Sequence, residues 1–129
     1  MKNWPSILPE DGTKEIIAAA LEVHRRLGPG LLESAYEECL CYELEIRGIR
    51  YCRQKNLPFV YKGKKLDCGY RLDVVVNDVI LLELKSVGKL LPIHEAQLLT
   101  YLKLSGMRTG LLINFNELLL KDGIKRIVL

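Results

Sequence analysis

The fold is decided by residues 71–85, which read RLDVVVNDVILLELK. Two apolar runs in this stretch are rich in β-branched and aliphatic residues, and an Asn-Asp turn signal at 77–78 separates them. Near-continuous apolar runs are typical of strands that are covered on both faces. Asp73, Glu83 and Lys85 interrupt the runs, and a buried charge is costly unless it is paired or binds a metal. The stretch therefore predicts two buried strands that carry a charged site.

Helical periodicity, turn residues and strand-like runs place the remaining elements on either side of this stretch. Helices are predicted from residue 11 or 13 to 27, over 31–47 and over 93–104, and strands over 50–54, 59–61, 65–76, 79–85, 109–115 and 125–129. The third helix is long enough to connect two parallel strands, so a mixed sheet is expected. We predict an α/β sandwich with one core, formed by a single domain over 11–129 after an extended leader over 1–10.

Composition restricts the class of protein. The chain has 129 residues, of which 49% are hydrophobic, and its net charge of +3 permits a nucleic-acid partner. No apolar stretch approaches the ~20 residues of a membrane span, and no signal segment begins the chain, so a cytoplasmic protein without a membrane partner is expected. The spacing of Cys39, Cys41, Cys52 and Cys68 differs from that of zinc sites and favours reduced, mostly buried thiols, with metal binding as the minor alternative.

The charged residues of the two strands suggest a metal site. Glu83 and Lys85 are two residues apart on a strand, so their side chains share one face. If Asp73 lies on that face of the neighbouring strand, two carboxylates and an ammonium group converge. Mg²⁺ prefers such oxygen ligands, and it would polarise a phosphate and lower the pKa of a bound water that the lysine orients. The alternative is a buried ion pair without a metal.

The turn between the strands sets a condition on this site. A strict two-residue turn at 77–78 would pair Val76 with Val79, which places Asp73 on the face opposite Glu83. The carboxylates can share a face only if the loop has an odd number of residues or the hairpin contains a β-bulge. We predict that one of these irregularities is present.

These residues also carry a resemblance to a known family. Asp73 and the Glu83-x-Lys85 pair, followed by a helix, resemble the motif of the PD-(D/E)XK nuclease superfamily, although Leu72 replaces the proline before the aspartate. The segment GLLESAY at 30–36 is similar to the signature of its GxxExxY group. The resemblance extends from the first helix to the last strand. It implies a restriction-endonuclease-like α-β-β-β-α-β core with a mixed sheet flanked by helices.

The resemblance also implies roles for particular residues. Asp73 and Glu83 would bind Mg²⁺ or Mn²⁺, and Lys85 would serve the attacking water. Gln97 and Tyr101 resemble the Q-x3-Y element of RecB-like members of the superfamily. They are four residues apart and so lie on one helix face. Packing of the helix against the sheet is the alternative for this pair.

The glycine signature adds Gly30, Glu33 and Tyr36 to the candidate residues. Glu33 and Tyr36 are three apart in the first turns of the second helix and are expected to face the same way. By the resemblance, Glu33 completes the metal site or supports its ligands. Alternatively, an acidic residue in the first turn only complements the helix dipole, an effect of about 0.3–1 kcal/mol.

Several basic residues are candidates for contact with a phosphate backbone. They are Arg71 and Lys89, together with three lysines at 62, 64 and 65, and a solvated surface is the alternative for all of them. His94 lies three residues before Gln97 and is a weaker candidate for the site.

Three functions remain open from the sequence. The leading hypothesis is a Mg²⁺- or Mn²⁺-dependent nuclease that hydrolyses phosphodiester bonds in DNA or a related nucleic acid. The second is a non-catalytic module that retains the nuclease fold and binds nucleic acid or a protein. The third is a structural or regulatory homo-oligomer, for which a homodimer is the simplest form.

Overall fold

The computed structural model describes residues 12–129, so the leader predicted over 1–10 lies outside the described residues. The helices are α1 (Thr13–Leu27), α2 (Glu33–Ile46) and α3 (Pro92–Ser105), with a 3₁₀ turn at Leu120–Gly123; the strands are β1 (Tyr51–Asn56), β2 (Phe59–Tyr61), β3 (Lys64–Leu66), β4 (Arg71–Val76), β5 (Ile80–Lys85), β6 (Thr109–Asn114) and β7 (Ile124–Val128). No helix among these residues has both the length and the apolar character that a membrane crossing requires.

The first helix has its predicted bounds, whereas α2 begins two residues and ends one residue inside the predicted range 31–47, and α3 extends one residue beyond the predicted range 93–104 at each end. Helix α1 ends at Gly28, whose N–H donates to the carbonyl of His24 at 2.8 Å. Helix α3 begins with Pro92, whose fixed φ suits the first helical turn. It ends at Gly106, which adopts the left-handed conformation with a φ of 79°.

Five strands form the main sheet in the order β1-β4-β5-β6-β7. Strands β5 and β6 are parallel and are joined by α3, while the other neighbours are antiparallel. The predicted mixed sheet and helical crossover are therefore confirmed, and the architecture is that of a restriction-endonuclease-like fold.

One predicted strand is divided in two. The strand expected over 65–76 is interrupted at 67–70, so that β3 pairs with β2 in a separate hairpin and β4 enters the main sheet. The interruption has a local cause. The Gly69 N–H donates to the side chain of Asp67 at 3.2 Å, and Gly69 has a φ of 80°, which a continuous strand does not accommodate.

The sheet is covered on both faces, and each face has its own cluster of buried apolar residues. One cluster lies under α1 and α2 and includes Val74, Val76 and Leu82 of the central strands. The other lies under α3 and includes Val75 and Leu81. The prediction of a single core was wrong because alternate residues of β4 and β5 face different helices.

The four cysteines are free thiols. Cys41 is buried, and burial raises its pKa to about 12. Cys52 and Cys68 are exposed, so the expectation that most of these thiols are buried was wrong for them. Across residues 12–129, which contain all four, no group of three or more His, Cys, Asp or Glu side chains is placed to hold a metal ion.

Candidate metal-dependent active site

The hairpin of β4 and β5 places Asp73 opposite Glu83. Val76 pairs with Ile80 and Val74 pairs with Leu82, so the connecting loop has three residues, 77–79. This loop has an odd number of residues, as predicted, so the side chains of Asp73 and Glu83 point to the same face of the sheet. Two residues of the loop have positive φ angles, 52° at position 77 and 61° at position 78.

Each carboxylate accepts a hydrogen bond from the backbone of the opposite strand. The Asp73 N–H donates to Glu83 Oε2 at 3.2 Å, and the Leu84 N–H donates to Asp73 Oδ2 at 2.9 Å. The regular pairing of β4 with β5 ends one residue earlier, at Val74 and Leu82. Carboxylate oxygens thus accept hydrogen bonds from strand N–H groups, and these bonds fix both side chains where the regular pairing of β4 with β5 ends.

Strand β1 is also irregular at this place. Arg53 pairs with Val74 and Lys55 pairs with Leu72, so Gln54 lies opposite Asp73. Gln54 has a φ of 50°, which is uncommon for a residue other than glycine and is often found at functional sites. Asp73 therefore lies between the end of the regular β4–β5 pairing and a β1 residue with a positive φ.

The electrostatics of the carboxylate pair favour a cation. Glu83 is only 4% exposed, and burial together with the charge of Asp73 raises its pKa to about 8. Burial also raises the pKa of Asp73, and the charges of Glu37 and Glu33 raise it further. The ionised forms of both groups are therefore destabilised as long as no cation is near them.

Lys85 belongs to a chain of side chains that reaches α3. Its Nζ donates to Gln97 Oε1 at 3.0 Å, and Gln97 Nε2 donates to the hydroxyl of Tyr101 at 3.3 Å. Burial and the charge of Glu83 raise the pKa of Tyr101. The structure therefore joins Lys85, Gln97 and Tyr101 in one chain of hydrogen bonds, and their catalytic roles stay predictions.

The glycine signature is connected to the same hairpin. Gly30 has a φ of 99°, and the following residue, Leu31, accepts a 2.6 Å hydrogen bond at its carbonyl from the Ser86 hydroxyl just after β5. Tyr36 is fully buried, and its hydroxyl donates to the carbonyl of Gly28 at 2.6 Å. Tyr36 thus holds the loop before α2 in place.

Glu33 and Tyr36 do not share an environment, contrary to expectation, because Glu33 is exposed and Tyr36 is buried. The charge of Glu33 nevertheless raises the pKa values of both Asp73 and Glu83. In the described part of the chain no third carboxylate joins the pair closely enough to form a three-ligand cluster. Metal ligation by Glu33 therefore stays a prediction.

Glu37, which is 8% exposed and follows Glu33 by one helical turn, was not predicted as a site residue. Arg53 Nε donates to Glu37 Oε2 at 3.0 Å, and Gln54 Nε2 donates to Glu37 Oε1 at 2.9 Å. Its charge raises the pKa of Asp73. The four-residue spacing from Glu33 was the signal that could have identified it, since such residues share a helix face.

The residues that were predicted to contact a phosphate backbone are exposed or make local hydrogen bonds. Arg71 is exposed, with Nη1 3.5 Å from the carbonyl of Gln54, and Lys89 is exposed. The Nδ1 atom of His94 accepts a 2.9 Å hydrogen bond from the N–H of Leu91, so this ring caps the start of α3. Nucleic-acid binding by these residues stays a prediction.

The donor set fits a divalent cation of the Mg²⁺ class. Mg²⁺ is commonly bound by one or two carboxylates and completes its coordination with waters and substrate phosphates. Asp73 and Glu83 supply two carboxylates, both partly or fully withdrawn from water. Their shared repulsion would be relieved by a cation between them.

The family comparison agrees with the fold. The model of the PD-(D/E)XK nuclease superfamily matches residues 10–127, and the chain belongs to that superfamily. Membership indicates a nuclease-type function and nucleic acid as substrate, and nucleases of the superfamily typically use divalent metals. The narrower GxxExxY assignment stays a prediction. No curated protein and no solved structure is significantly similar to the chain.

Proposed function

We propose that this protein is a Mg²⁺- or Mn²⁺-dependent nuclease that hydrolyses phosphodiester bonds in DNA or a related nucleic acid. The main support is the arrangement of Asp73, Glu83 and Lys85. Two carboxylates that are partly or fully buried are fixed by backbone N–H groups of the opposite strand. The ammonium group of Lys85, two residues after Glu83, donates to Gln97. This combination provides cation ligands and a positive group at one place, which phosphodiester hydrolysis requires.

Each residue has a distinct role in the proposed reaction. Asp73 and Glu83 would hold the divalent cation, which supplies polarisation of the phosphate and acidification of a water. Lys85 would donate to a phosphate oxygen or to the attacking water, stabilising negative charge as it develops. Gln97 positions the Lys85 ammonium group through the 3.0 Å hydrogen bond, and Tyr101 fixes Gln97.

The central experiment compares the wild type with Lys85→Ala. Cleavage of single- and double-stranded DNA and RNA is measured with Mg²⁺, with Mn²⁺ and with EDTA. We expect metal-dependent cleavage by the wild type and a reduction on the order of 10²–10⁴-fold in Lys85→Ala. Lys121→Ala, which removes an exposed lysine of the 3₁₀ turn, is the matched control and should retain full activity. Equal cleavage by the two variants would contradict the proposal.

A second variant tests the positioning of Lys85. Gln97→Ala removes the acceptor of the Lys85 ammonium group, and a hydrogen bond to a charged group contributes about 1.5–3 kcal/mol. We expect kcat to fall by roughly 10- to 100-fold while the affinity for Mn²⁺, measured by calorimetry, is unchanged. A fall in metal affinity of the same size would assign Gln97 to the metal site instead.

The non-catalytic module remains the alternative outcome. Salt-dependent binding of nucleic acid without binding of millimolar Mg²⁺ or Mn²⁺ would favour it. The preference for DNA, the homodimer and the cytoplasmic location also stay predictions. Ultracentrifugation of the full chain would measure the oligomeric state directly.

A further inference from the structure

A cavity of about 390 Å³ opens beside the candidate site. Three of its lining residues are aromatic, namely Phe59, Tyr70 and Tyr101, and Gln97 and Thr100 add polar groups. Phe59 comes from the β2–β3 hairpin, Tyr70 precedes β4, and the other six lining residues lie on α3. The cavity is thus formed where three separate parts of the chain meet.

The aromatic rings of this cavity are tilted relative to one another and are not stacked face to face. The centroids of Phe59 and Tyr70 are 6.5 Å apart with an interplanar angle of 51°, and those of Tyr70 and Tyr101 are 6.3 Å apart at 60°. By contrast, Tyr36 and Phe115 are stacked in the core at 4.5 Å and 8°, so each covers a face of the other. Tilted rings on a surface can receive a planar ligand between or upon them.

Positive charge is concentrated on the hairpin that contributes Phe59. Lys62, Lys64 and Lys65 are all exposed; Lys64 pairs with Tyr61 and so shares the hairpin face of Phe59, whereas Lys65 pairs with Val60 on the opposite face. A three-residue strand spans roughly 10 Å, so the hairpin places Lys64 within about one or two nucleotide steps of Phe59. Lysines beside open aromatic rings are the combination found in surfaces that bind single-stranded nucleic acid.

The cavity shares Gln97 and Tyr101 with the candidate site. Gln97 and Tyr101 line it, and Gln97 also accepts the hydrogen bond from Lys85. Tyr70 is three residues before Asp73 on the chain. A base in the cavity would therefore belong to a nucleotide close to the phosphate at the carboxylates. In a duplex the bases are paired and stacked, and their faces cannot reach these rings.

We propose that the cavity binds an unpaired nucleobase by stacking and that the substrate is a single-stranded or locally unpaired nucleic acid. The inference rests on the proposed nuclease function because it assigns a substrate class to the same site. Tyr70 is the main stacking residue, since it lies between the other two rings and is 49% exposed.

The test measures binding in EDTA, where cleavage is absent, by fluorescence anisotropy of a labelled single strand about 12 nucleotides long. Stacking contributes enough per base that Tyr70→Ala should weaken binding by roughly 5- to 100-fold. Tyr70→Phe keeps the ring and should bind within about twofold of the wild type. Tyr42→Ala removes a tyrosine of α2 that is 64% exposed, and it should also bind normally. Tyr70→Leu keeps the apolar volume without the ring and should bind as weakly as Tyr70→Ala.

Two further probes separate stacking from charge attraction. An abasic strand of the same length should bind the wild type as weakly as the normal strand binds Tyr70→Ala, and a blunt duplex should be insensitive to the substitution. The proposal is overturned if Tyr70→Ala leaves single-strand binding unchanged or weakens binding of all three probes equally. If the wild type does not cleave but the binding results are as expected, only the nuclease function is refuted. If the wild type and Tyr70→Ala cleave a single strand equally well, only the base-binding cavity is refuted.

Discussion

Replacement of Glu83 by glutamine tests the electrostatics of the site without requiring a substrate. Glutamine has nearly the same shape and keeps an oxygen for the N–H of Asp73, which now donates to Glu83 Oε2 at 3.2 Å. The substitution removes the ability to ionise and replaces the second carboxylate oxygen by an amide NH2 group. Burial and the charge of Asp73 raise the pKa of Glu83 from 4.5 to about 8, so ionisation of this group opposes folding when no metal is bound.

The size and direction of the effect follow from the two pKa values. Between pH 4.5 and about 8 the folded protein keeps a proton that the unfolded chain has lost, so the free energy of unfolding falls as pH rises. At about 1.4 kcal/mol per pH unit, this interval corresponds to at most about 5 kcal/mol. About 3 kcal/mol of it falls above pH 5.5. Glu83→Gln should therefore gain about 3 kcal/mol relative to the wild type between about pH 5.5 and pH 9.

Urea unfolding in EDTA at the two pH values measures this change directly. Glu15→Gln, which alters an exposed glutamate of α1, is the control and should follow the wild type at both pH values. Millimolar Mg²⁺ at the higher pH should stabilise the wild type more than Glu83→Gln, because a ligand of the folded state alone raises its stability. A difference between wild type and Glu83→Gln that stays constant with pH would refute the argument.

Two further pairs of variants test the surroundings of the site. Gly123→Ala would place a Cβ 2.5 Å from a backbone carbonyl oxygen, and its free energy of unfolding should fall by about 1–3 kcal/mol. In the control Gly88→Ala the new Cβ meets no atom within 4 Å, so the free energy of unfolding should change by less than about 0.5 kcal/mol. Equal melting temperatures of the two variants would contradict this expectation. Arg53→Met should lose about 2 kcal/mol in urea unfolding because Glu37, whose side chain is 10% exposed, loses its 3.0 Å partner. Arg50→Met breaks an exposed ion pair and should lose less than about 1 kcal/mol, so similar losses in the two arginine variants would exclude a special role for the buried pair.

The features that could be predicted from the sequence are those that a repeating pattern specifies. The apolar runs of β4 and β5 identified two buried strands, and the helical pattern before β6 identified the crossover. The requirement for an odd loop followed from the two-residue period of a strand, because a two-residue turn would have separated Asp73 from Glu83. The pattern alone could not identify Val79 as the additional loop residue, since its apolar side chain resembles the strand that follows.

The features that could not be predicted depend on contacts between distant segments. Glu37 resembles any acidic residue of a helix until Arg53 and Gln54 approach it from β1, 16 and 17 positions later. The division of the strand over 65–76 depends on one side chain, that of Asp67, which competes with strand pairing for a backbone N–H.

The departures from regular structure at the site have a common physical origin. The regular pairing of β4 with β5 ends at Val74 and Leu82, just before the N–H groups of Asp73 and Leu84. These two donors instead bond to carboxylates, which places two mutually repelling acids where the β4–β5 ladder ends. Such an arrangement destabilises the metal-free fold, as the raised pKa of Glu83 indicates. Since the same arrangement fixes both oxygen donors before any ligand arrives, a cation would find its carboxylates already in position, and the energy lost in folding would be recovered on binding.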